Sequence, residues 1–347
     1  MKHFSVIIDP CSNILYASYY IYGLLRYFGQ SAIHFSSAPF VGLRHDKDTF
    51  CLPFVIRQNG GGKMRYCIDT SDSNKCVYTT FYDWCDVYGK VNYNTSLHSG
   101  LHKIRPIAPN FAVKLWDKPK CMLSATVNYA MSRHRTPFSF RDFWRVYAAT
   151  LNRKRIHDEL LQNERGEHGD MKYVYMVGRW WTGQDECNRW RSKFIEVCKS
   201  VDGTCFEGGL LPEIGCCDEI KYLSERKYSY DEYLNKTQES LIVFNTPAYY
   251  GCHGWKLPEF LWLGKAIIST PFVNDLPEPL THGKNIWFAK DENEIRDAIV
   301  LLLNDSLIRS RLEQGAREYW NEYCSPEKAI LQFVCNNKDD CLDLLDH

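Results

Sequence analysis

Apolar residues in the first part of the chain form short β-rich runs around one helical pattern. A run at residues 4–8 precedes an apolar helical pattern over residues 14–28, which Ser12 or Asn13 can cap. Residues 32–37 then predict a second strand. This order predicts a parallel βαβ unit with a right-handed crossover. Open α/β sheets bind ligands at the carboxyl ends of such strands, here at residues 9–13.

The stretch 50–113 carries weaker signals, from which we predict four further strands: residues 51–58, 64–70, 79–88 and 104–113. The glycines at 60–62 lack the spacing of a phosphate-binding loop and indicate a hairpin-like turn. Ser139 and Asp142 have the spacing of a capping box, which predicts a helix extending to residue 161. The polar run 163–172 predicts a linker.

After this linker, strands and helices alternate regularly. An apolar run at 172–177 predicts a buried strand, and one face of the following helix carries Cys187, Trp190, Phe194, Val197 and Cys198. The later elements are strands at 204–209, 240–245 and 265–270, and helices at 228–238, 256–264, from 292, 306–323 and from 325. This pattern predicts a doubly wound α/β domain.

The length of 347 residues favours two domains. We predict an α/β protein with two Rossmann-like domains facing a cleft, one over residues 1–165 and the other over 166–347, with the last helix able to cross back.

The 42 basic and 42 acidic residues give no overall attraction to nucleic acid. Fifteen cysteines without a C-x-x-C pair support neither a zinc site nor a disulfide framework, so we expect no metal and a reducing cytoplasm. The first residues do not resemble a signal peptide.

One local exception to the charge balance is the segment 133–155, which carries seven basic residues and one acid, Asp142. Such a basic, aromatic helix is able to rest on an anionic membrane surface, near a lipid-linked substrate. A solvated helix that connects the two domains explains the same pattern.

The richest site pattern lies between the strand that ends at Asn245 and residue 270. The loop after that strand begins at Thr246 and carries His253 and Trp255 to the rim of the sheet. Lys256 and the start of the next helix favour a bound anion such as a phosphate, and Glu259 offers two oxygens to a sugar diol. An exposed lysine and a glutamate that complements the helix dipole are the plainer explanations.

Together these segments resemble the carboxyl-terminal domain of GT-B glycosyltransferases. The resemblance rests on KLPEFLWLGKAIIST, NDLPEPL, DENEIRDAIVLLLND and LEQGAREYWNEYCSPE, with VGRWW similar to the V-G-R turn of the family. It covers residues 172–327. It implies that Gly178, Arg179 and Lys256 hold a donor diphosphate and that Glu259 holds the ribose, with Asn245, Thr246 and Trp255 nearby.

The same resemblance implies sugar transfer from a nucleotide sugar to a glycan or lipid-linked acceptor, without a metal or other cofactor. Gly251 stands where many retaining members have a glutamate, and Gln184 where they have a lysine; retention and inversion therefore both stay open. For inversion, Asp9 is our first choice of base and His253 the second, although structural roles explain both residues. The Asp46 and Asp48 pair lacks the strand of a metal-binding D-x-D motif. A nucleotide-sugar epimerase or hydrolase, and a non-catalytic nucleotide-sugar or glycan binding protein, are the alternatives.

Overall fold

A computed structural model describes residues 4–58, 62–156, 171–216 and 219–335. The chain divides into two compact units. The first unit comprises Met1–Asp158, Asn274–Pro277 and Tyr323–His347, and the second comprises Glu159–Val273 and Glu278–Glu322. Most of the predicted linker, residues 163–170, and the predicted boundary at 165 lie outside the described residues.

The first unit opens with the predicted βαβ arrangement and continues into a mixed sheet. Its strands are β1 (Phe4–Ile8), β2 (Ile33–Phe35), β3 (Cys51–Gln58), β4 (Lys63–Asp69), β5 (Val87–Lys90) and β6 (Ile104–Pro106). Its helices before residue 157 are α1 (Ile14–Phe28), α2 (Thr79–Trp84), α3 (Thr95–His98), α4 (Lys118–Ser132) and α5 (Phe140–Thr150). Asn13 caps α1, because its side chain accepts from the backbone nitrogen of Leu15 at 3.2 Å.

The six strands lie in the order β2-β1-β3-β4-β5-β6. β1 pairs with β2 in parallel, which confirms the βαβ prediction, whereas β3 is antiparallel to both of its neighbours. The reason is the short connection from Gln58 to Lys63, since a parallel pair needs a crossover of a dozen residues or more. The predicted hairpin at 60–62 therefore fits the observed pairing, although residues 59–61 lie outside the described residues.

In this unit one predicted strand was wrong and one helix was missed, and the strand predicted at 104–113 and the helix predicted to residue 161 end earlier, at Pro106 and Thr150. Residues 79–84 form a helix, not a strand, and the strand begins only at Val87. Phe81 and Cys85 are buried while Asp83 between them is exposed, which fits one face of a helix but not the alternation of a strand. Helix α4 was not predicted, because its buried positions include the polar Asn128 and Ser132 and so give little periodic signal.

The second unit is the doubly wound domain that the sequence predicted. Its strands are β7 (Lys172–Arg179), β8 (Thr204–Leu211), β9 (Val243–Asn245), β10 (Ile267–Ser269) and β11 (Trp287–Phe288). Its helices are α6 (Asp185–Ser200), α7 (Tyr230–Glu239), α8 (Lys256–Trp262), α9 (Glu292–Asn304) and α10 (Ser306–Tyr319), and a π-helical turn follows at Trp320–Cys324.

All assigned strand pairs of the second unit are parallel. A hydrogen bond of 2.9 Å from the Leu241 nitrogen to the Tyr173 oxygen places the start of β9 beside β7. Leu223 adds a parallel bridge to Leu210 on the far side of β8. Across the sheet the order is therefore the bridge at Leu223, β8, β7, β9, β10 and β11. This is the order of a dinucleotide-binding sheet, in which the ligand crevice lies between the strands that come first and fourth in the chain. Here these strands are β7 and β9.

The core of this unit forms between the sheet and the predicted helix faces. The five residues predicted for one face of α6 are all buried, and Phe194 stacks on Phe244 with ring centroids 4.7 Å apart. Helix α9 contributes Ile295, Ala298 and Ile299 to the same core. Asp291 caps α9 by accepting from the backbone nitrogens of residues 293 and 294. The apolar periodicity therefore located this core correctly.

The chain returns to the first unit at Tyr323 and ends its described part with helix α11 (Pro326–Val334), which packs on α1. The Tyr19 hydroxyl donates to the Cys324 carbonyl, and the Tyr66 hydroxyl donates to that of Val334 at 3.5 Å. The ring of Phe333 packs edge-on against Tyr66, with centroids 5.7 Å apart. The last helix thus completes the core of the unit that the first residues began.

A fully buried ion pair lies at the carboxyl ends of β4 and β5. Lys90 and Asp69 are both 0% exposed, and their Nζ and Oδ2 atoms are 2.8 Å apart. The same carboxylate accepts from the Tyr88 hydroxyl and the Ser71 hydroxyl, and Lys90 also donates to the Cys76 carbonyl at 2.8 Å. Because each charge has several partners, the pair is tolerated in the interior.

Among the described residues, no helix has both the length and the apolar character needed to cross a membrane.

Candidate functional site

A cavity of about 550 Å³ opens at the carboxyl ends of β9 and β10. Its walls come from the start of α6 (residues 183–187), from the loop after β9 including Thr246 and Gly251, and from residues after β10 including Thr270. It lies at the carboxyl edge of the sheet, where doubly wound sheets bind ligands. Arg179, Lys256 and Glu259 do not line it. The cavity therefore marks the predicted rim as a candidate ligand site.

Lys256 lies beside this rim on the first turn of α8. Its ammonium donates to the Val177 carbonyl at the end of β7 and lies 4.8 Å from the ring centroid of Tyr233. Burial lowers the pKa of Lys256 to about 8; the Glu259 carboxylate opposes this shift, and the Arg191 guanidinium adds to it. An additional negative charge near the Lys256 ammonium would therefore stabilise its protonated form.

Arg191 is a second cation at the same strand end, and it is more deeply buried than the half-buried Lys256. It lies on α6, is 6% exposed, and donates through Nη1 to the Arg179 carbonyl. Burial lowers the pKa of Arg191. In the described part of the chain, neither Arg191 nor Lys256 forms an ion pair with a carboxylate. The end of β7 thus carries more buried positive than negative charge.

Glu259 is held by two tyrosines of α7. Its carboxylate is 4% exposed, and it accepts from the Tyr230 hydroxyl at 2.9 Å and from the Tyr233 hydroxyl at 2.8 Å, one on each oxygen. Burial raises the pKa of Tyr233 well above its usual value, and the Glu259 charge raises it further. The two hydroxyl groups, one on each oxygen, therefore fix the orientation of the Glu259 carboxylate.

The helix that carries both charged residues ends as predicted. The C-cap of α8 is Leu263, and Gly264 follows with a positive φ of 60°, donating its nitrogen to the Leu261 carbonyl at 3.1 Å. A side chain at Gly264 would also collide with Arg317, because its Cβ would lie 2.1 Å from Nε. α8 spans seven residues, so its side chains, rather than its terminus, define the candidate site.

Arg179 ends β7 and is exposed, with an aromatic group beside it. Its guanidinium carbon lies 5.6 Å from the Trp181 ring, which in turn lies 5.6 Å from Tyr249. The neighbouring Tyr250 is 57% exposed and has a left-handed φ of 53°. A non-glycine residue in that conformation costs about 1–3 kcal/mol and often marks a functional loop. Gly178, which precedes Arg179, is buried against Leu210 and Arg191.

The loop geometry at Gly251 explains one departure from the GT-B pattern. Gly251 has a φ of 75°, which strains any other residue except in special cases. Its added Cβ would also lie 3.3 Å from a methyl group of Val273. A glutamate is therefore unfavourable at this position with the present loop conformation. Gln184, the other departure, lines the cavity as the N-cap residue of α6.

Three other predicted binding residues lie near the end of β9. Asn245 and Thr246 are buried, and they connect β9 to β10: Asn245 Nδ2 donates to the Ser269 hydroxyl at 3.0 Å, and the Thr246 and Thr270 hydroxyls are 2.7 Å apart. Of these residues, Thr246 lines the cavity. Trp255 is half-buried and immediately precedes α8. These three residues support the cavity wall and the loop that carries Lys256.

Asp9 is fully buried at the end of β1, within the first unit. Arg135 donates Nη2 to Oδ1 at 2.5 Å and Nη1 to Oδ2 at 3.0 Å, and His45 Nε2 lies 3.2 Å from Oδ2. Burial tends to raise the pKa of Asp9, but His45 and Arg135 outweigh it and hold the pKa below its usual value. Such a carboxylate is a weak base. Cys11 brings a third potential metal ligand close to Asp9 and His45, but Arg135 already neutralises the carboxylate.

His253, the second candidate base, lies in the second unit. Its ring is buried and packs edge-on against Phe272, with centroids 5.3 Å apart. The catalytic roles of Asp9 and His253 stay predictions. The alternative acidic pair, Asp46 and Asp48, lies in an exposed turn in which Asp46 accepts from the Thr49 hydroxyl at 2.6 Å.

Sequence reasoning missed Arg191 and the tyrosine pair. Arg191 is four residues after the buried Cys187, so the helical period already placed it on the apolar face of α6. Tyr230 and Tyr233 are three residues apart and therefore share a face of α7. Their contact with Glu259 is a tertiary one that no local pattern reveals.

The depressed pKa of Lys256 predicts a pH-dependent stability. Between pH 8 and 10.5 the unfolded chain retains the lysine proton while the folded chain has released it, so stability rises with pH in this window. Relative to Lys256→Met, we expect the free energy of unfolding of the wild type to rise by about 2 kcal/mol between pH 7 and 9.5. Urea unfolding at both pH values tests this, with the exposed Lys47→Met as the control. Parallel pH profiles for wild type and Lys256→Met would contradict it.

No protein-family model and no curated protein matches this sequence. Among solved structures, a TarM variant from S. aureus in complex with UDP, fondaparinux and α-GlcNAc-glycerol is 10% identical, with a TM-score of 0.43 over 80% of this chain and 45% of that one. This chain therefore spans less than half the length of TarM. HepE from Anabaena in complex with UDP-glucose is 10% identical, with a TM-score of 0.42 over 74% and 64% of the two chains.

The C-terminal domain of LpcC, a group 1 glycosyl transferase from Francisella tularensis, is 15% identical, with a TM-score of 0.32 over 44% of this chain and 85% of that domain. These similarities concern the fold and assign no reaction. In fold, this chain is similar to GT-B glycosyltransferases, as the sequence resemblance predicted.

Proposed function

We propose that this chain is a glycosyltransferase that takes a sugar from a nucleotide diphosphate donor and transfers it to a hydroxyl group of a glycan or glycolipid, without a metal. The observation that carries the proposal is the excess of buried positive charge at the carboxyl end of β7. Lys256 and Arg191 both donate to carbonyls of that strand, and the carboxylate nearest to them, Glu259, is bound to two tyrosines. A diphosphate supplies the missing negative charge.

In this proposal the charged residues have distinct roles. Arg179, exposed at the rim, grips diphosphate oxygens with its planar guanidinium, and Lys256 supplies a point charge beside it. Glu259 accepts from the ribose hydroxyls in a direction fixed by Tyr230 and Tyr233. When the bond to the sugar breaks, negative charge grows on the leaving diphosphate, and the preorganised cations stabilise it. Arg191 positions the Arg179 backbone.

The acceptor hydroxyl must lose a proton, and an inverting reaction requires a protein base for this step. The ion pair with Arg135 reverses our order of preference between the two candidates. We therefore propose His253 ahead of Asp9, since a carboxylate with a lowered pKa removes a proton poorly.

A lipid-linked acceptor and a role in polysaccharide biosynthesis at the cytoplasmic membrane surface belong to the same proposal. Arg133, Arg141 and Arg145 are exposed, as a peripheral contact requires. Arg135, in contrast, is committed to Asp9. The basic surface of segment 133–155 is therefore smaller than its composition indicated.

A binding panel in the presence of EDTA tests the proposal. We expect a nucleotide diphosphate sugar to raise the melting temperature, since a ligand at 100 times its Kd adds about 2.7 kcal/mol of stability. The free sugar and the nucleoside monophosphate are the controls and should have smaller effects. Donor consumption is then followed with glycan acceptors: transfer supports the proposal, isomerisation or hydrolysis alone favours the epimerase or hydrolase alternative, and binding without reaction favours a binding protein. Absence of any binding rejects the donor site.

A further inference from the structure

A second cavity, of about 770 Å³, lies beside the first and is lined mainly by aromatic rings. The rings belong to Phe272, His282, Trp287 and Phe288. Pro271 and Lys290 line both cavities, so the two spaces adjoin. None of the residues proposed to hold the donor lines this second space.

The rings are fixed in two pairs. Phe272 and Phe288 meet edge to face with centroids 5.3 Å apart, and His282 lies against Trp287 at 4.6 Å. The Phe288 backbone nitrogen donates to His282 Nδ1 at 3.0 Å, so a neutral ring carries its proton on Nε2 and offers it as a donor. Phe272, Trp287 and Phe288 are half-buried, which leaves part of each ring exposed to a ligand.

The charges around the rings disfavour an anionic ligand and offer hydrogen-bond acceptors. Glu294 and Asp297 lie one turn apart on α9 and are exposed, so they disfavour an anion such as a phosphate. Lys290 offsets one of these two negative charges. Carboxylates accept hydrogen bonds from hydroxyl groups, and apolar ring faces cover the C–H face of a pyranose. A neutral sugar has both kinds of surface.

We propose that this second cavity binds a neutral sugar residue of the acceptor glycan. Its junction with the first cavity at Pro271 and Lys290 places a sugar bound there next to that cavity, which Thr246 of the predicted donor residues lines. Treating this sugar as part of the acceptor rests on the proposed glycosyl transfer. Binding of the sugar to the cavity does not depend on glycosyl transfer.

Calorimetry and saturation-transfer NMR with neutral trisaccharides of glucose and N-acetylglucosamine test the proposal. We expect binding to the wild type, at least tenfold weaker binding to Trp287→Leu and several-fold weaker binding to Asp297→Asn, because stacking and a hydroxyl acceptor are lost respectively. Asp297→Asn changes an exposed residue and keeps the test valid if Trp287→Leu fails to fold. Phe140→Ala, which removes an exposed ring in the first unit, is the control and should bind like the wild type.

Binding of UDP-sugars to the same variants separates this proposal from the donor site. Unchanged donor binding with weakened glycan binding supports the second cavity. Equal glycan binding by the wild type and both variants, a preference for uronic acid oligosaccharides, or no binding of either neutral trisaccharide overturns it. If the wild type binds no UDP-sugar, the proposed function is rejected, whereas the conclusion about glycan binding to the second cavity is unaffected.

Discussion

Replacing Lys256 with methionine should weaken the binding of a nucleotide sugar by about 30- to 100-fold, or about 2–3 kcal/mol. Methionine retains most of the apolar stem that packs near Tyr233 and Phe260, but it removes the ammonium that donates to the Val177 carbonyl. Calorimetry with UDP-sugars and GDP-sugars measures the change. The wild-type affinity should also fall as the pH rises through the pKa of about 8, because the neutral amine attracts a diphosphate less. Lys256→Met should lose this pH dependence.

The matched control is Lys265→Met in the same unit. Lys265 is also buried and also donates to a backbone carbonyl, that of Gln238, but it lies outside the rim. We expect its donor affinity to stay within about twofold of the wild type. Arg179→Ala should add a further loss to Lys256→Met, since its exposed guanidinium is proposed to contact the same diphosphate. Unchanged donor binding in the Lys256 and Arg179 double variant would overturn the site assignment.

Replacing Lys90 with methionine should destabilise the first unit by about 3–5 kcal/mol. The substitution leaves Asp69 charged, fully buried and without its nearest cation, although the Tyr88 and Ser71 hydroxyls remain. Urea unfolding at neutral pH measures the loss. Truncating one partner of a buried pair costs more than the net contribution of the pair, because the other charge stays desolvated.

The exposed Lys47→Met serves as the control and should change the free energy of unfolding by less than about 0.5 kcal/mol. A loss below about 1 kcal/mol in Lys90→Met would show that water reaches Asp69 in the folded protein. That result would contradict the buried network at the ends of β4 and β5.

The second unit was more predictable from sequence than the first for a physical reason. Parallel strands buried on both faces are continuous apolar runs, and polar helix caps such as Asp291 separate them clearly. In the first unit, the aromatic residues of 79–84 suit a helix and a strand equally well. The exposure of Asp83 between the buried Phe81 and Cys85 distinguishes the helix from a strand.

The candidate site divides in the same way. Lys256 and Glu259 were found because they are close together in a loop and helix of recognisable order. Their hydrogen-bond partners come from β7 and α7, which are tens of residues away in the chain. For Asp9, sequence correctly placed the residue at a strand end, but Arg135 is 126 positions away, so its ion pair was invisible. Motifs locate charged groups, whereas tertiary contacts decide their protonation and direction.

Helix α11 also constrains the order in which this protein is completed during synthesis. The Phe333 ring and the Val334 carbonyl that it supplies to Tyr66 leave the ribosome only after the whole second unit has been translated. Domains of most chains fold in order from the amino terminus as they emerge. Here helix α11, which packs on α1 of the first unit, is synthesised after the second unit. The apolar surface of α1 that α11 covers therefore stays exposed while the second unit is translated. We therefore expect the nascent chain to need chaperone protection mainly before α11 has been synthesised.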